Sequence, residues 1–424
     1  MRATLVRSML ATAVVSAAIV ASPVAASSSA PACSSDWAKV STPSPGTIFS
    51  VLLDVATVGT GDAWSVGFRS YVDDEGMYAV SPIIERWDGV SWTVAYQPSS
   101  QGQLAGVFAL ASDDVWAVGH TGLESPEFQP LIMHWDGTSW ERVNSPSAAM
   151  GYLTAIGGSG PDDLWTAGTL IGTYDTIIEH WDGTRWRKVG HPSPSSDYVA
   201  FGGLAAAGPD DVSIVGTYLD GQARSAPLAL HWDGAVWQRT KPKRVGALGT
   251  SLNDVTVTGG GRVWAVGSYV TAGGATQALA ERWTGRRWIE ASPVALDGAS
   301  SLASVTAGPD GVWAVGSRTR PDQPAETLTE RWRPQSDEWQ DVASPGASGD
   351  DYLLGVDQSP AGEFWAVGFH RPGEQELTLA VHRCRPLDKR ETGEQHFAVW
   401  GPLDDAPMAV SNSSQNQMFR PDPL

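Results

Sequence analysis

A tetrapeptide close to Trp-Ala-Val-Gly occurs seven times in this chain, and this recurrence constrains the fold more than any other feature. Six of the repeats continue with a turn close to Trp-Asp-Gly and a further Trp. A β-rich repeat of about 50 residues is typical of a propeller in which each repeat forms one four-stranded blade. The tetrapeptides span residues 64–67, 116–119, 165–168, 213–216, 264–267, 313–316 and 365–368, and the turns span 87–89, 135–137, 181–183, 232–234, 283–285 and 332–334.

The second repeat gives the clearest view of one blade. Alternating apolar residues predict an inner strand a at 104–109, followed by strand b at 114–119, strand c at 131–135 and strand d at 140–143. Asp136-Gly137 is predicted as a two-residue turn with positive φ at both positions, because such turns match the strand twist. The pattern therefore predicts four antiparallel strands in each repeat.

The two ends of the repeat region complement one another. Residues 37–43 match strand d but follow no a, b or c strand, whereas the last repeat supplies a, b and c and then stops. The predicted fold class is thus all-β: a seven-bladed β-propeller of four-stranded blades, closed by an N-terminal strand that completes the last blade. Cys33 and Cys384 fall at the same turn position of this seam, so we expect a disulfide there, with two unrelated thiols as the alternative.

The remaining segments are predicted from composition. Residues 1–26 have the basic start, apolar run and small-residue end of a signal peptide, so the protein is expected to be secreted and extracellular. A lipid anchor at Cys33 is the alternative. Residues 27–385 form the propeller, and the polar residues 386–424 are expected to be a disordered tail or a short docking segment. A net charge of -19 disfavours nucleic acid as a partner, and no segment is expected to insert into a membrane.

The repeat resembles a known class of bacterial proteins. Residues 116–119 read Trp-Ala-Val-Gly and residues 134–140 read His-Trp-Asp-Gly-Thr-Ser-Trp. The chain is similar over residues 33–385 to exported bacterial proteins that carry these tandem repeats, and distantly to the Asp-box hairpins of sialidase-type propellers. The catalytic motifs of sialidases are not recognisable. The resemblance therefore implies the fold more than the function.

The residue before each strand-c Trp is a hydrogen-bond donor. Because Arg and His replace one another there and the ring symmetry separates them, we expect donors bonded or stacked within the blades, with no metal and no cofactor. These donors are Arg86, His134, His180, His231, Arg282, Arg331 and His382. Ser213 replaces the strand-b Trp of the fourth repeat, which predicts either a packing variation or a small lateral pocket.

The connections from d to a and from b to c vary between repeats, whereas the other turns are uniform. The variable face is therefore the predicted binding face. Tyrosines concentrate there, and their flat rings with polar tips suit sugars and proteins alike. Capping of strand ends is the alternative for any single residue. The candidate ligand-binding residues are Tyr71, His120, Tyr152, Tyr174, Tyr198, Tyr218, Tyr269, Tyr352 and His370.

Three functions remain open at this point. The first is a monomeric, non-enzymatic binding module for a carbohydrate, such as a cell-wall or extracellular glycan. The second is an extracellular protein–protein interaction scaffold. The third is a propeller glycosidase or lyase with an unrecognised site, whose acids would come from residues 73–75 and 350–351.

Overall fold

The computed structural model describes residues 34–122, 128–147, 150–171, 175–194, 196, 198–293, 295–346 and 349–384. These residues form 28 strands in seven antiparallel four-stranded sheets, which confirms the seven-bladed β-propeller. The predicted signal peptide, the predicted tail, Cys33 and Tyr174 lie outside the described residues.

Each blade runs from an inner strand a to an outer strand d. Strands a are β2 (Phe49–Gly59), β6 (Gly102–Ala111), β10 (Gly151–Gly160), β14 (Val199–Gly208), β18 (Gly249–Val257), β22 (Ala299–Gly308) and β26 (Asp350–Gln358). Strands b are β3 (Asp62–Val72), β7 (Asp114–Thr121), β11 (Asp163–Leu170), β15 (Asp211–Leu219), β19 (Val263–Val270), β23 (Gly311–Thr319) and β27 (Glu363–Arg371). Strands c are β4 (Tyr78–Trp87), β8 (Gln129–Trp135), β12 (Thr176–Trp181), β16 (Ser225–Trp232), β20 (Thr276–Trp283), β24 (Ala325–Arg333) and β28 (Leu377–Cys384). Strands d are β5 (Trp92–Tyr96), β9 (Trp140–Val143), β13 (Trp186–Lys188), β17 (Trp237–Thr240), β21 (Trp288–Glu290), β25 (Glu338–Asp341) and, for blade 7, β1 (Ala38–Val40).

The N-terminal strand closes the ring as predicted. The sheet of blade 7 has the order β1-β28-β27-β26, and Ala38 lies opposite His382 in the β1–β28 ladder. The first described strand thus completes a sheet whose other members lie more than 300 residues later in the chain. This pairing covers an outer edge that would otherwise be open to other strands.

The glycine of each tetrapeptide is required by the pairing of strands a and b. A Cβ atom on Gly67 would lie 2.0 Å from the carbonyl oxygen of Val51, and the equivalent glycines of the other six blades have the same contact at 2.0 to 2.1 Å. Any side chain there would force the two inner strands apart. The close approach of strands a and b therefore requires glycine at this position of every repeat.

The tryptophans pack between adjacent blades. At five boundaries the strand-b indole of one blade contacts the strand-c and strand-d indoles of the next, with ring centroids 4.6 to 5.8 Å apart. At the sixth, Trp313 contacts Trp37 and Phe364, and the Arg383 guanidinium lies 4.3 Å from its ring centroid. The five complete triads are Trp64 with Trp135 and Trp140, Trp116 with Trp181 and Trp186, Trp165 with Trp232 and Trp237, Trp264 with Trp332 and Trp339, and Trp365 with Trp87 and Trp92.

The seventh boundary, between blades 4 and 5, lacks the strand-b indole. Ser213 is buried there, and the strand-d Trp288 donates its Nε1–H to Thr240 Oγ1 at 3.0 Å. Trp283 and Trp288 contact one another at 5.6 Å. Of the two alternatives for Ser213, these contacts favour a packing variation.

Six of the seven donors at the position before the strand-c Trp are bonded within their own blades, as expected, whereas Arg282 of blade 5 pairs with Asp337 of blade 6 at 2.8 Å. His134 Nε2 lies 2.9 Å from Asp114 Oδ1, which also accepts the Nε1–H of Trp116, and the His134 and Trp116 rings stack at 4.1 Å. Blade 3 repeats this arrangement, and His or Arg pairs with the first acid of strand b in blades 1, 4 and 7. In blades 2 and 3 the first Asp of strand b therefore also fixes the indole of its own strand.

The Asp-Gly turn between strands c and d differs from the prediction. Gly137 has positive φ, at 89°, but Asp136 does not, and four residues separate Trp135 from Trp140. Asp136 Oδ1 instead accepts the backbone N–H groups of Thr138 and Ser139 at 2.8 and 2.9 Å. The hydrogen bond from the Thr138 hydroxyl, followed by these backbone bonds, lowers the pKa of Asp136 to about 2. The carboxylate closes the longer loop by replacing backbone acceptors, so a two-residue turn is not needed.

Truncation of one central indole should destabilise the whole ring. In Trp165→Ala we expect a loss of about 3 to 5 kcal/mol in the free energy of unfolding, because the change empties a site between two blades. Ser213→Ala, at the same repeat position of blade 4, should cost far less. Urea denaturation followed by tryptophan fluorescence measures both, and equal losses would contradict the clamping role of Trp165.

The disulfide stays a prediction, since Cys33 lies outside the described residues. The N–H of Cys384 donates to the carbonyl oxygen of Ser34, the residue after Cys33, at 2.8 Å. Non-reducing peptide mapping of the exported protein should recover one peptide linking Cys33 to Cys384. Cys384→Ser should lower the melting temperature, because closing so long a loop contributes on the order of 5 kcal/mol at most. Two alkylatable thiols in the folded protein would rule the bond out.

Candidate binding face

The two variable sets of connections lie together on one face of the propeller. The N–H of Gly122, after strand b of blade 2, donates to the carbonyl oxygen of Gln101 in the preceding d-to-a connection at 2.9 Å. In blade 4, Leu219 N–H donates in the same way to Tyr198 at 3.1 Å. The b-to-c and d-to-a connections therefore form a single surface, which we call the variable face.

Most predicted tyrosines occupy strand ends at this face. Strands b and c are longer than the sequence indicated, so that Val72 pairs with Tyr78 and only residues 73–77 remain as the loop of blade 1. Tyr71, Tyr218 and Tyr269 thus belong to strands b, whereas the sequence placed them in connections. The Trp-containing repeat predicts the packed part of each strand, but it does not predict the polar residues that extend strands b and c.

Three of the candidate residues form an aromatic row with Phe128 across blades 2 to 4. The His120 ring stacks on Phe128 at 4.3 Å, and Phe128 contacts Tyr152 edge-on at 6.3 Å. Burial raises the pKa of the Tyr198 phenol, and the neighbouring Tyr152 raises it further. Tyr198 is 39% exposed. The row therefore joins the residues predicted at His120, Tyr152 and Tyr198.

The other candidates are separate from this row. Tyr352 stacks on Phe369 at 4.8 Å, and the Arg69 guanidinium lies 4.0 Å from the centroid of Tyr71. Tyr269 packs against the apolar cluster of blades 4 and 5. Burial lowers the pKa of His370, and nearby Lys39 lowers it further, which favours the neutral imidazole.

A groove between blades 1 and 2 contains Tyr96, which is not among the residues predicted from the sequence. Tyr96 lies on strand d of blade 1, where the ladder with strand c shifts register between Ile84 and Glu85. The six other c-to-d ladders of the described residues run without such a shift. A bulge of this kind turns a side chain away from the regular alternation. It directs Tyr96 into the groove, and burial raises the pKa of its phenol.

This groove, which we call the Tyr96 groove, has an apolar floor and a polar rim. Pro82, Leu131 and Met133 accompany Tyr96 in a cavity of about 730 Å³, and Tyr96 packs against the core cluster that contains Leu131 and Met133. Arg142 is exposed at its edge. The remaining polar lining residues are Ser100, Gln101, Thr121 and Gln129.

A second pocket, in blade 4, contains the predicted residue Tyr218. The Arg239 guanidinium lies 4.6 Å from the centroid of the Tyr218 ring, and Arg244 donates to the Tyr218 hydroxyl at 3.1 Å. Burial opposes ionisation of this phenol, but the hydrogen bonds from Arg244 and Arg239 outweigh it and lower the pKa of Tyr218. Lys241 also lines the pocket, which has a volume of about 430 Å³. We call it the Tyr218 pocket.

The axial channel is lined by three half-buried carboxyl groups that join blades. Asp54 accepts the N–H of Val107 in the next blade at 2.9 Å, and Asp254 accepts that of Val305 in the same manner. Asp357 accepts both the N–H and the hydroxyl of Thr57. Burial is the main cause that raises the pKa of Asp54 to about 8 and that of Asp254 to about 6, and it also raises that of Asp357. Each group already has partners, so the channel acids hold the ring together.

Glutamates of strand c are a further feature that the sequence did not signal. Glu85, Glu179, Glu281 and Glu330 are all buried. The first three accept hydrogen bonds from the connection that enters their blade: from Thr42 at 3.0 Å, from Ser145 at 2.8 Å and from the Lys243 N–H at 3.0 Å. Burial raises the pKa of Glu85 to about 8, against a weaker lowering by Thr42. These acids anchor the variable connections to the frame.

Among the residues that the structure describes, no group of three or more His, Cys, Asp or Glu side chains is placed to hold a metal ion. No described helix is long and apolar enough to cross a membrane.

Stability should fall with rising pH because of Glu85. A carboxyl group whose folded pKa lies above its ordinary value stabilises the fold fully below pH 4.5, and this contribution is lost as the pH rises toward 8. Glu85→Gln keeps an acceptor for Thr42 and cannot ionise. The free energy of unfolding of this variant should equal that of the wild type at pH 4 and exceed it at pH 9 by up to about 5 kcal/mol.

Denaturant titrations across this pH range measure the difference. Glu141→Gln on β9, which changes an exposed glutamate, is the control and should leave the pH profile of stability unchanged. A constant offset between Glu85→Gln and wild type at every pH would contradict the assigned role of Glu85.

Comparisons with known proteins identify the fold. No family model matches the chain, and no curated protein matches it. The solved structure described as YCF48 bound to D1 peptide is similar at 15% identity and a TM-score of 0.50, over 83% of this chain and 96% of that chain. YCF48 from Cyanidioschyzon merolae (13% identity, TM-score 0.48, 82% and 98% coverage) and TolB from Acinetobacter baumannii (13%, 0.40, 70% and 66%) are also similar. This chain thus shares its overall fold with the first of these structures.

Proposed function

We propose that the protein is a non-enzymatic extracellular binding module that holds a segment of another protein in the Tyr96 groove. The observation that carries the proposal is the bulge in strand d of blade 1, which turns Tyr96 toward Leu131 and Met133 of blade 2. A tyrosine above an apolar floor, with donors and acceptors around it, is the usual composition of a binding hot spot for polypeptides.

The chemistry of the floor favours a polypeptide over a glycan. Pro82, Leu131 and Met133 offer aliphatic and thioether surface, which suits an apolar side chain. Sugar rings need aromatic faces together with dense arrays of hydrogen-bonding groups, and the polar residues lie at the rim of this groove. A glycan is therefore the second candidate ligand, and the experiment below also tests it.

The fold is compatible with this function. The solved structure of YCF48 that is similar to this chain is described as bound to a D1 peptide, so one propeller of this shape holds a peptide. That similarity concerns the fold, and the Tyr96 groove supplies the argument for this chain.

The non-enzymatic part of the proposal rests on the acids that an enzyme would use. Asp73 accepts the N–H groups of Glu75 and Met77 within its own loop, at 3.0 and 2.8 Å. Asp350 accepts the N–H of Ala325 at 2.8 Å. Both carboxylates support the ends of strands, a role that competes with acid–base catalysis. Export follows from the predicted signal peptide at residues 1–26.

Selection from a random peptide library displayed on phage, with the mature protein as bait, tests the proposal. Peptides that bind should lose at least about tenfold in affinity to Tyr96→Ala, because the change removes the aromatic wall of the groove. Tyr96→Phe should keep most of the affinity. Fluorescence anisotropy of a labelled selected peptide measures the dissociation constants.

The control is Lys188→Ala, which removes a cation on strand d of blade 3, and Arg142→Ala is its counterpart in blade 2. Only the second should weaken binding. A glycan array is screened in parallel with the same variants. A glycan that depends on Tyr96, together with a library that yields no peptide, would overturn the proposal in favour of the carbohydrate hypothesis.

A further inference from the structure

We propose that the Tyr218 pocket is a separate binding site for the carboxylate groups of an acidic polypeptide. This inference names the partner class and rests on the proposed function only in taking the ligand to be a polypeptide. It is carried by the convergence of Arg239, Lys241 and Arg244 on one cavity.

The lining of the pocket is positively charged, whereas the molecule as a whole is negatively charged. The chain has a net charge of -19, yet three of the seven residues that line this cavity are cations and none is an acid. All three cations are exposed to solvent. Like charges that share a cavity repel one another, and a bound anion removes this cost. An anionic ligand should therefore bind in this pocket in preference to the acidic surface around it.

The two arginines are held in place before any ligand binds. Arg244 donates to Asp220 Oδ2 at 2.7 Å and to the Tyr218 hydroxyl at 3.1 Å, so one end of its guanidinium is fixed. The Arg239 guanidinium lies over the Tyr218 ring, with its central carbon 4.6 Å from the ring centroid. A guanidinium has five N–H donors in one plane, so an arginine held at a ring by one contact keeps donors for a bidentate contact with a carboxylate.

The neutral walls favour a carboxylate that is carried on an apolar stem. Pro227 and Pro242 flank Tyr218 in a cavity of about 430 Å³, which is large enough for a glutamate side chain and its methylene groups. A second cavity of about 200 Å³ shares Arg244 and is lined by Arg224. Two adjoining cavities with cations at both suit successive acidic residues of one chain.

Binding of a fluorescein-labelled octaglutamate peptide, followed by anisotropy at several salt concentrations, tests the inference. The mature wild type should bind it saturably, and the affinity should fall as the salt concentration rises. Arg239→Ala and Lys241→Ala should each lose at least fivefold, and the double variant more. These residues form no ion pair in the described structure, so their replacement should leave the melting temperature unchanged.

Arg286 and Arg287 provide the charge-matched control. They are exposed in the turn between strands c and d of blade 5, on the opposite face. Replacing both by Ala removes the same charge and should leave octaglutamate binding as in the wild type. Equal losses in the two double variants would overturn the inference, since they would indicate unspecific attraction to any cation.

Two other results would also overturn it. The first is the absence of saturable octaglutamate binding to the wild type. The second is displacement of the peptide by heparin oligosaccharides at lower concentration than by unlabelled octaglutamate, which would assign the pocket to sulfated glycans. Failure here is distinguishable from failure of the proposed function, because library peptides that depend on Tyr96 would still bind to the Arg239→Ala and Lys241→Ala variants.

Discussion

The contact on which this structure depends is an indole of one blade held between two indoles of the next. Trp165 shows the whole arrangement: its ring meets Trp232 and Trp237 of blade 4 and lies against His180 of its own blade. Asp163 Oδ1 accepts both the Trp165 Nε1–H and the Nε2–H of the His180 ring. The large apolar rings fill the wedge between sheets that diverge from the axis, and the Trp165 Nε1–H is bonded within its own blade. Repetition of this unit fixes the spacing of the blades.

The sequence could predict this frame because its parts recur. The period of the repeat predicts seven blades. The closure by β1 could be predicted because the N-terminal region has a strand d without a blade, and only the last blade lacks its strand d. It could not predict the length of the strands at the variable face. There the polar residues that extend strands b and c follow no apolar alternation, so Tyr71 and Tyr218 were assigned to connections. The prediction of a two-residue Asp-Gly turn is also wrong, because the sequence pattern does not show that the Asp136 side chain accepts backbone N–H groups in a longer loop.

The candidate site was harder to predict than the fold, because it arises from departures from the repeat. Tyr96 looked like an ordinary strand residue, and only the register shift between Ile84 and Glu85 turns it into the groove. The basic Tyr218 pocket combines a strand-b tyrosine with residues 239–244, whose proximity depends on the pairing of the blade. By contrast, the aromatic row from His120 to Tyr198 joins residues that were predicted one by one. Uniform repeats hold the frame, and single irregularities create the sites.

The central claim is that the frame is separate from the binding surface, which lies on the variable face. Hydrogen–deuterium exchange of the mature protein, alone and with the tightest peptide from the random library, tests it most directly. The account predicts that the peptide slows exchange in residues 96–104 and 128–133, beside the Tyr96 groove, and leaves the c-to-d turns at 88–91, 136–139 and 182–185 unchanged. Protection confined to those turns, with none at the groove, would contradict the account.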